Sequence, residues 1–227
     1  MTELALGLGL DERRPKNDAL SVFRDIFGNG SVNGLWLSPS DLASHFTATG
    51  GTTLASADDS VSVSIDKSKG GLNNLGSELV TNGTFNSNTS GWTATDATLS
   101  VVDGMMRVTN DSAANGSASQ NPSISSGKSY RYSGRSASNG GTTGAQLVGS
   151  SSGGSQYGSS TGSGTKLFHF LSVGSLAYLR ERVQTASQGA YTDFDDVSLR
   201  EIPGNSVFQG TSAARPILRN RSNGVYT

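Results

Sequence analysis

The dipeptide Asp103-Gly104 stands between two short apolar-rich runs, Ala97 to Val102 and Met105 to Thr109. Aspartate followed by glycine suits the left-handed backbone of a two-residue hairpin turn, so this stretch predicts paired antiparallel strands. Further runs read the same way. Ser129 to Ser133 places Tyr130 and Tyr132 on one face of a strand, and Ala145–Val148 is a short strand. Lys166–Leu171, Leu176–Val183 and Tyr191–Ile202 follow. Composition agrees. The chain has 30 glycines in 227 residues, and 15% of its residues are charged, against about 25% in an ordinary domain. Ser, Thr, Asn and Gly supply most of its polarity, which predicts many short strands and turns and few helices. Between Gly149 and Gly164 the chain is almost all Ser and Gly, a composition that predicts a mobile loop.

Several function classes are disfavoured on the same grounds. A formal charge of −1 leaves no overall footprint for nucleic acid or an anionic membrane. No apolar run approaches the roughly 20 residues that span a bilayer. The N-terminus, MTELALGLGLDERRPK, lacks the basic start and apolar core of a signal peptide. It predicts synthesis in the cytoplasm without export by the Sec route. The absence of cysteine excludes disulfides and thiol chemistry. His45 and His169 stand in no metal-ligand spacing, no G-x-S-x-G elbow is present, and carboxylates are sparse. The expectation is a protein that is not an enzyme and needs no cofactor.

The first seventy-five residues predict a smaller unit. Asn17 or Asp18 can cap a helix in which Leu20, Phe23 and Phe27 share a face, and Gly28-Asn29-Gly30 stops it. That face packs on its own domain or anchors the chain on a neighbouring subunit. Next come a buried strand around Trp36, a turn at Ser38-Pro39 and a one-turn helix capped by Ser40. An alternating strand with Val61, Val63 and Ile65 on one face completes the unit.

Two segments carry a family resemblance. Glu78-Leu-Val-Thr-Asn-Gly-Thr-Phe-Asn-Ser-Asn-Thr-Ser-Gly-Trp92 and the closing Asp193-Phe-Asp-Asp-Val-Ser-Leu199 resemble the two ends of a carbohydrate-binding-module jelly roll. Such modules occur in glycan-degrading enzymes and in bacteriophage virion proteins. A second stretch, Trp36-Leu-Ser-Pro-Ser-Asp-Leu42 through Asp66-Lys-Ser68, resembles a segment found near the N-termini of phage tail-associated proteins. In them it ends in a run like Ala213-Ala-Arg-Pro-Ile-Leu-Arg219, which here lies beyond the jelly roll. The resemblance implies a mostly β chain: an antiparallel β-sandwich (jelly roll) with a small N-terminal α+β docking unit. Residues 1–75 would dock, 76–203 would form the jelly roll, and 204–227 would close the first unit or lead into a further domain. It implies a structural component of a tailed-phage virion, a tail fibre or tail-associated adhesin, assembled in the host cytoplasm. Its partners would be other virion proteins of tail, baseplate or capsid, further copies of itself as a homotrimer, and host cell-surface polysaccharide. The alternatives are a capsid or baseplate decoration protein that binds no sugar, and the non-catalytic glycan-binding part of a bacterial enzyme.

The resemblance also suggests site residues. A structural calcium would fall to Thr84, Asn86 and Asp195 or Asp196, with Asn86 where the family commonly has glutamate. Sugar recognition uses aromatic platforms with polar neighbours. The candidates are Trp92, Tyr130, Tyr132, Tyr157 and Tyr178, with Arg131, Arg180 and Arg182. The narrower set is Tyr157, Tyr132, Tyr130, Trp92 and Arg131, with Tyr157 expected to be exposed inside the Ser/Gly loop. Virion docking is expected at Leu20, Phe23, Phe27 and Trp36.

Overall fold

The computed structural model describes residues 35–48, 53–138, 142–150, 156–175 and 177–219. The predicted helix with Leu20, Phe23 and Phe27 lies outside the described residues, as do Ser151–Ser155 and Leu176.

A single 3-10 turn, Leu42–Ser44, leads into β1 (His45–Phe46), and β2 (Val63–Ser64) pairs antiparallel with it. The sandwich follows as β3 (Thr93–Thr95), β4 (Ala97–Val102), β5 (Met105–Asn110) and β6 (Ser117–Gln120). It continues with β7 (Ser129–Ser138), β8 (Gly144–Gly149), β9 (Gln156–Thr161), β10 (Gly164–Leu171), β11 (Tyr178–Val183) and β12 (Tyr191–Ile202). The last strand, β13 (Val207–Phe208), returns to pair with β2.

These strands make two antiparallel five-stranded sheets, in the orders β10-β7-β12-β5-β4 and β3-β6-β11-β8-β9, and a three-stranded sheet β1-β2-β13. The fold class is mostly β, an antiparallel jelly-roll sandwich. Asp103 and Gly104 both adopt positive φ at the β4–β5 turn, and Val102 pairs with Met105 directly across it. The core fills from the inward face of each strand: Met106 and Val108 of β5, Tyr130 and Tyr132 of β7, Phe168 and Phe170 of β10, Leu179 and Val183 of β11, Phe194 and Leu199 of β12. Tyr132 stacks on Phe168 at 4.6 Å and Tyr130 on Phe170 at 5.6 Å, each pair directly opposite in the β7–β10 register.

The opening segment lies along the closing strand. Leu79 N donates to Leu199 O at 3.0 Å, and Val197 N donates to Gly83 O at 2.9 Å. Glu78 accepts from Leu199 N, Ser198 Oγ and Arg200 Nε. Burial pushes the Glu78 carboxyl up, but these bonds outweigh it and hold the group below its ordinary value.

The small sheet sits against the sandwich. Phe46, Val63 and Ile65 cluster with Ile202 at the end of β12, and the Phe46 ring lies 4.5 Å from the His169 ring of β10. Ser60 bridges to Ile217, and Leu218 packs with Ala55 and Val61.

Four local expectations are corrected. Trp36 lies in no strand and is half-buried, with the Lys67 ammonium 5.2 Å from its ring. The turn at Leu42–Ser44 begins from Asp41, not Ser40, and has no side-chain cap, because the Asp41 carboxylate is held by Lys67 at 2.5 Å. The strand expected over residues 60–68 narrows to Val63–Ser64, although Val61, Val63 and Ile65 are all buried. The Ser/Gly segment expected as a mobile loop contains β9, paired with β8 through a bulge at Val148/Gly149. Backbone pairing orders a strand whose side chains carry no apolar alternation. Gly158 also makes room for Phe168: a Cβ there would lie 2.5 Å from its ring.

A candidate ligand-binding face on the second sheet

Strand β11 occupies the middle of the second sheet. Its alternation sends Leu179, Glu181 and Val183 into the core. Tyr178, Arg180 and Arg182 therefore stand on the opposite, solvent-side face, each half-buried. Their neighbours follow from the register. Arg180 lies between Ser119 of β6 and Leu147 of β8, and Arg182 between Ser117 and Ala145. Beyond these come Thr93 and Thr95 on β3 and Ser159 and Thr161 on β9. Tyr178 pairs with Gly149, beside Gln156. Ser117, Ser119, Ala145 and Leu147 beside the arginines are buried, and the exposed hydroxyls of Thr93, Thr95, Ser159 and Thr161 edge the face.

The Arg180 guanidinium lies 5.8 Å from the Tyr178 ring centroid, within cation–π range. Arg182 Nη2 donates to Gln184 Oε1 at 2.9 Å. The Nε of each arginine is shut off from solvent and has no partner. Burial, and then the neighbouring Arg180 charge, hold the Arg182 guanidinium below its ordinary value. An aromatic face beside planar donors and hydroxyls can stack on one side of a pyranose and hydrogen-bond its oxygens.

The residues expected to hold sugar are not brought together. Tyr132, Tyr130 and Trp92 are 0%, 2% and 8% exposed. They face the opposing sheet or its covering segment, so no ligand can stack on them. Trp92 packs on Phe85 at 5.5 Å and donates its Nε1–H to Thr81 O and Asn82 O. Tyr157 is half-buried in β9 and stacks on Phe170 at 5.4 Å, with its hydroxyl buried. Arg131 lies on the other sheet, between His169 and Arg200 in the register. Tyr178, Arg180 and Arg182 were legible as candidates, but only their alternation with Leu179 and Val183 places them on one face.

The calcium set fares no better. Thr84 and Asn86 are exposed, and the Asn86 amide donates to Thr84 Oγ1 at 3.2 Å. Asp195 gives one oxygen to Arg135 at 3.3 Å and leaves the other buried without a partner. Asp196 is exposed, at positive φ in the bulge that shifts the β12 register. Calcium takes six to eight oxygens and gains affinity from carboxylate charge. Here one of two carboxylates is already matched by a guanidinium. Among the described residues no cluster of three or more His, Cys, Asp or Glu forms.

The histidines are structural. His45 is buried, with Nε2 2.8 Å from Ser38 O and Nδ1 2.9 Å from Ser64 Oγ. A carbonyl only accepts, so Nε2 donates to Ser38 O.

No protein-family model matches the chain, and no curated protein matches it. Solved structures overlay on about half of it. One is a carbohydrate-binding module of type CBM4, at 16% identity and TM-score 0.42, covering 54% of this chain and 99% of that one. Another is the enzymatically active domain of tailspike protein 4 from bacteriophage CBA120, at 18% identity and TM-score 0.40, covering 55% of this chain and 21% of that one. A third comprises the CBM22-1 and GH10 modules of a Clostridium thermocellum xylanase complexed with xylohexaose, at 22% identity and TM-score 0.41, covering 54% of this chain and 28% of that one.

Proposed function

We propose that this chain is a non-catalytic glycan-binding protein that binds polysaccharide on the solvent face of its second sheet. The observation that supports it is Tyr178 and Arg180 side by side on that face, with Ser, Thr and Gln around them and, among the described residues there, no paired carboxylates of the kind a glycosidase needs. The segments that resemble phage tail-associated proteins support a finer reading. On that reading the chain is a tail fibre or tail-associated adhesin, its first unit held by other virion proteins and its sandwich turned to the host surface as part of a homotrimer.

The test is a titration of the intact chain against a panel of soluble bacterial and plant polysaccharides, read by affinity electrophoresis. Retardation by at least one, abolished in Tyr178→Ala at unchanged melting temperature, is the expected outcome. No retardation across the panel would sink the glycan reading. The burial of Tyr130 and Tyr132 favours the second reading, a decoration module that stabilises a particle without binding sugar. Electron microscopy of the particle separates the two: a sandwich packed flat on the capsid lattice supports decoration, and one projecting from the tail supports attachment.

A further inference from the structure

We propose that the glycan taken by this face is acidic, a polymer whose repeat carries a carboxylate. The inference rests on the glycan-binding reading and sharpens it.

Arg180 and Arg182 are two residues apart on one strand, so their Cα atoms are separated by about 7 Å and their side chains rise in parallel. Across both neighbouring strands their partners are Ser117, Ser119, Ala145 and Leu147, and the strands beyond present Thr93, Thr95, Ser159 and Thr161. None is acidic. On the first sheet three exposed-side arginines meet carboxylates, although Arg131, opposite Arg200, does not. Arg107 is clamped by Asp193 at 2.7 and 2.9 Å, Arg135 meets Asp195, and Arg200 meets Glu78. The chain as a whole is close to neutral, and among the described residues no carboxylate meets Arg180 or Arg182 on the face that bears Tyr178.

Two like charges held side by side without a counter-ion are unfavourable, and partial burial adds to the cost. An anion placed between the guanidiniums offsets both effects. Arginine presents paired N–H donors in a plane, which matches the two oxygens of a carboxylate. With the ring of a uronic acid stacked on Tyr178, its carboxylate can reach the guanidiniums beside it. The hydroxyls of Ser and Thr along the rim suit the remaining sugar oxygens.

The experiment uses two probes with the same linkage. Polygalacturonate carries a carboxylate on every residue. Its carboxyl-reduced form keeps the backbone and loses the charge. Isothermal titration of the intact chain is expected to show binding of polygalacturonate at least tenfold tighter than of the reduced polymer, as for a lost charge-assisted hydrogen bond. The preference should fall as salt is raised. The double variant Arg180→Gln/Arg182→Gln is expected to lose the preference, and Arg180→Lys/Arg182→Lys to keep part of it. Alginate and hyaluronan, tested in the same way, extend the probe to other uronates.

Equal binding of the charged and reduced polymers, or a preference unchanged in the glutamine variant, would overturn the acidic-ligand proposal while leaving glycan binding standing. Failure of every uronate while a neutral polysaccharide binds and is lost in Tyr178→Ala would do the same. Failure of charged and neutral polymers alike would overturn the glycan reading and this inference with it.

Discussion

The phenol of Tyr132, on the first sheet, donates a 2.7 Å hydrogen bond to Glu181 Oε1 on the second, in the buried centre of the sandwich. Both groups are fully buried, and Glu181 Oε2 has no hydrogen-bond partner. A charged carboxylate there loses its hydration and gains only part of it back. Burial therefore pushes the Glu181 carboxyl up to about 8, against the bond from Tyr132, which favours its ionised form. The same burial, and then the Glu181 charge, push the Tyr132 phenol well above its ordinary value.

This pair predicts a stability loss toward alkaline pH. The folded carboxyl holds its proton to about 8, whereas the unfolded one loses it near 4.3. The folded state thus binds more protons across that window, and stability declines as pH rises through it. It is fully present only below the lower value. Urea unfolding between pH 5 and 9 should show a fall on the order of a few kcal/mol in the wild type. In Glu181→Gln that fall should shrink markedly, because the amide keeps the shape and has no proton to lose. An unchanged slope in the variant would remove Glu181 as the cause.

His169 predicts a loss on the acid side. Burial, and then the charge of Arg131, hold its imidazole down at about 4. The ordinary value is near 6.5, so the unfolded chain binds the proton first as pH falls. Stability from this group is present above pH 6.5 and is lost as pH drops through about 4. Both ring nitrogens are buried without a partner, and the ring packs on Phe46. His169→Phe keeps the ring contact and removes two orphaned polar atoms. It is expected to raise stability by about 1 kcal/mol at neutral pH and to flatten the acid limb. Thermal melts at pH 4, 5, 6 and 7 check both parts, and a variant as acid-sensitive as the wild type would contradict them.

How much of this was legible depends on whether a residue's role is local. The Asp103-Gly104 turn is local chemistry, and the strands on either side follow it to the residue at Ala97–Val102. The closing strand Tyr191–Ile202 is likewise found as read, from its resemblance to a jelly-roll end, although the bulge at Asp196 breaks its alternation. Strands β3, β6 and β9 are short and made of Ser, Thr, Ala, Gly and Gln with one tyrosine. The ladders of β3 and β6 come from partners distant in sequence, and β9, paired with the preceding β8, carries no apolar alternation, so no local signal marks them. Tyr130 and Tyr132 were correctly placed on one face. Which face meets the other sheet is a tertiary fact, and it turned two proposed platforms into core. Conversely Tyr178, Arg180 and Arg182 reach solvent only because their strand is central in a sheet whose other face is dry.

The Phe46–His169 contact gives a reporter for the joint between the small sheet and the sandwich. Phe46 is buried with Val63, Ile65 and Ile202. Phe46→Ala should cost about 3 kcal/mol as a large-to-small core change. It should also let water reach the imidazole, moving its titration up from about 4 toward the ordinary value. Histidine C–H resonances followed by NMR against pH would show the shift. A resonance that still titrates near 4 in the variant would mean that other groups, not Phe46, keep the ring dry.

Gly83 predicts the largest effect of a single methyl group. It belongs to the opening segment, and its carbonyl accepts the Val197 N–H of the closing strand at 2.9 Å. Its φ lies outside the left-handed region, so conformational freedom is not what requires glycine here. Close approach is. A Cβ at this position would fall 1.9 Å from Val197 O and 3.0 Å from Val197 C, both backbone atoms that no rotamer change can move. Gly83→Ala must therefore push the opening segment off β12 and strain the hydrogen bond that joins the two ends of the sandwich. Val197 and Phe85 are both buried nearby in the main core, so the displacement loosens apolar packing as well. The expected cost is about 2–3 kcal/mol, the range for overpacking against an unyielding wall. Gly104→Ala serves as the comparison: its Cβ would meet nothing, and its positive φ alone should cost about 1 kcal/mol. Chemical denaturation of the two variants side by side tests the difference. Equal destabilisation would show that backbone conformation, not the contact with Val197, is what selects glycine at position 83.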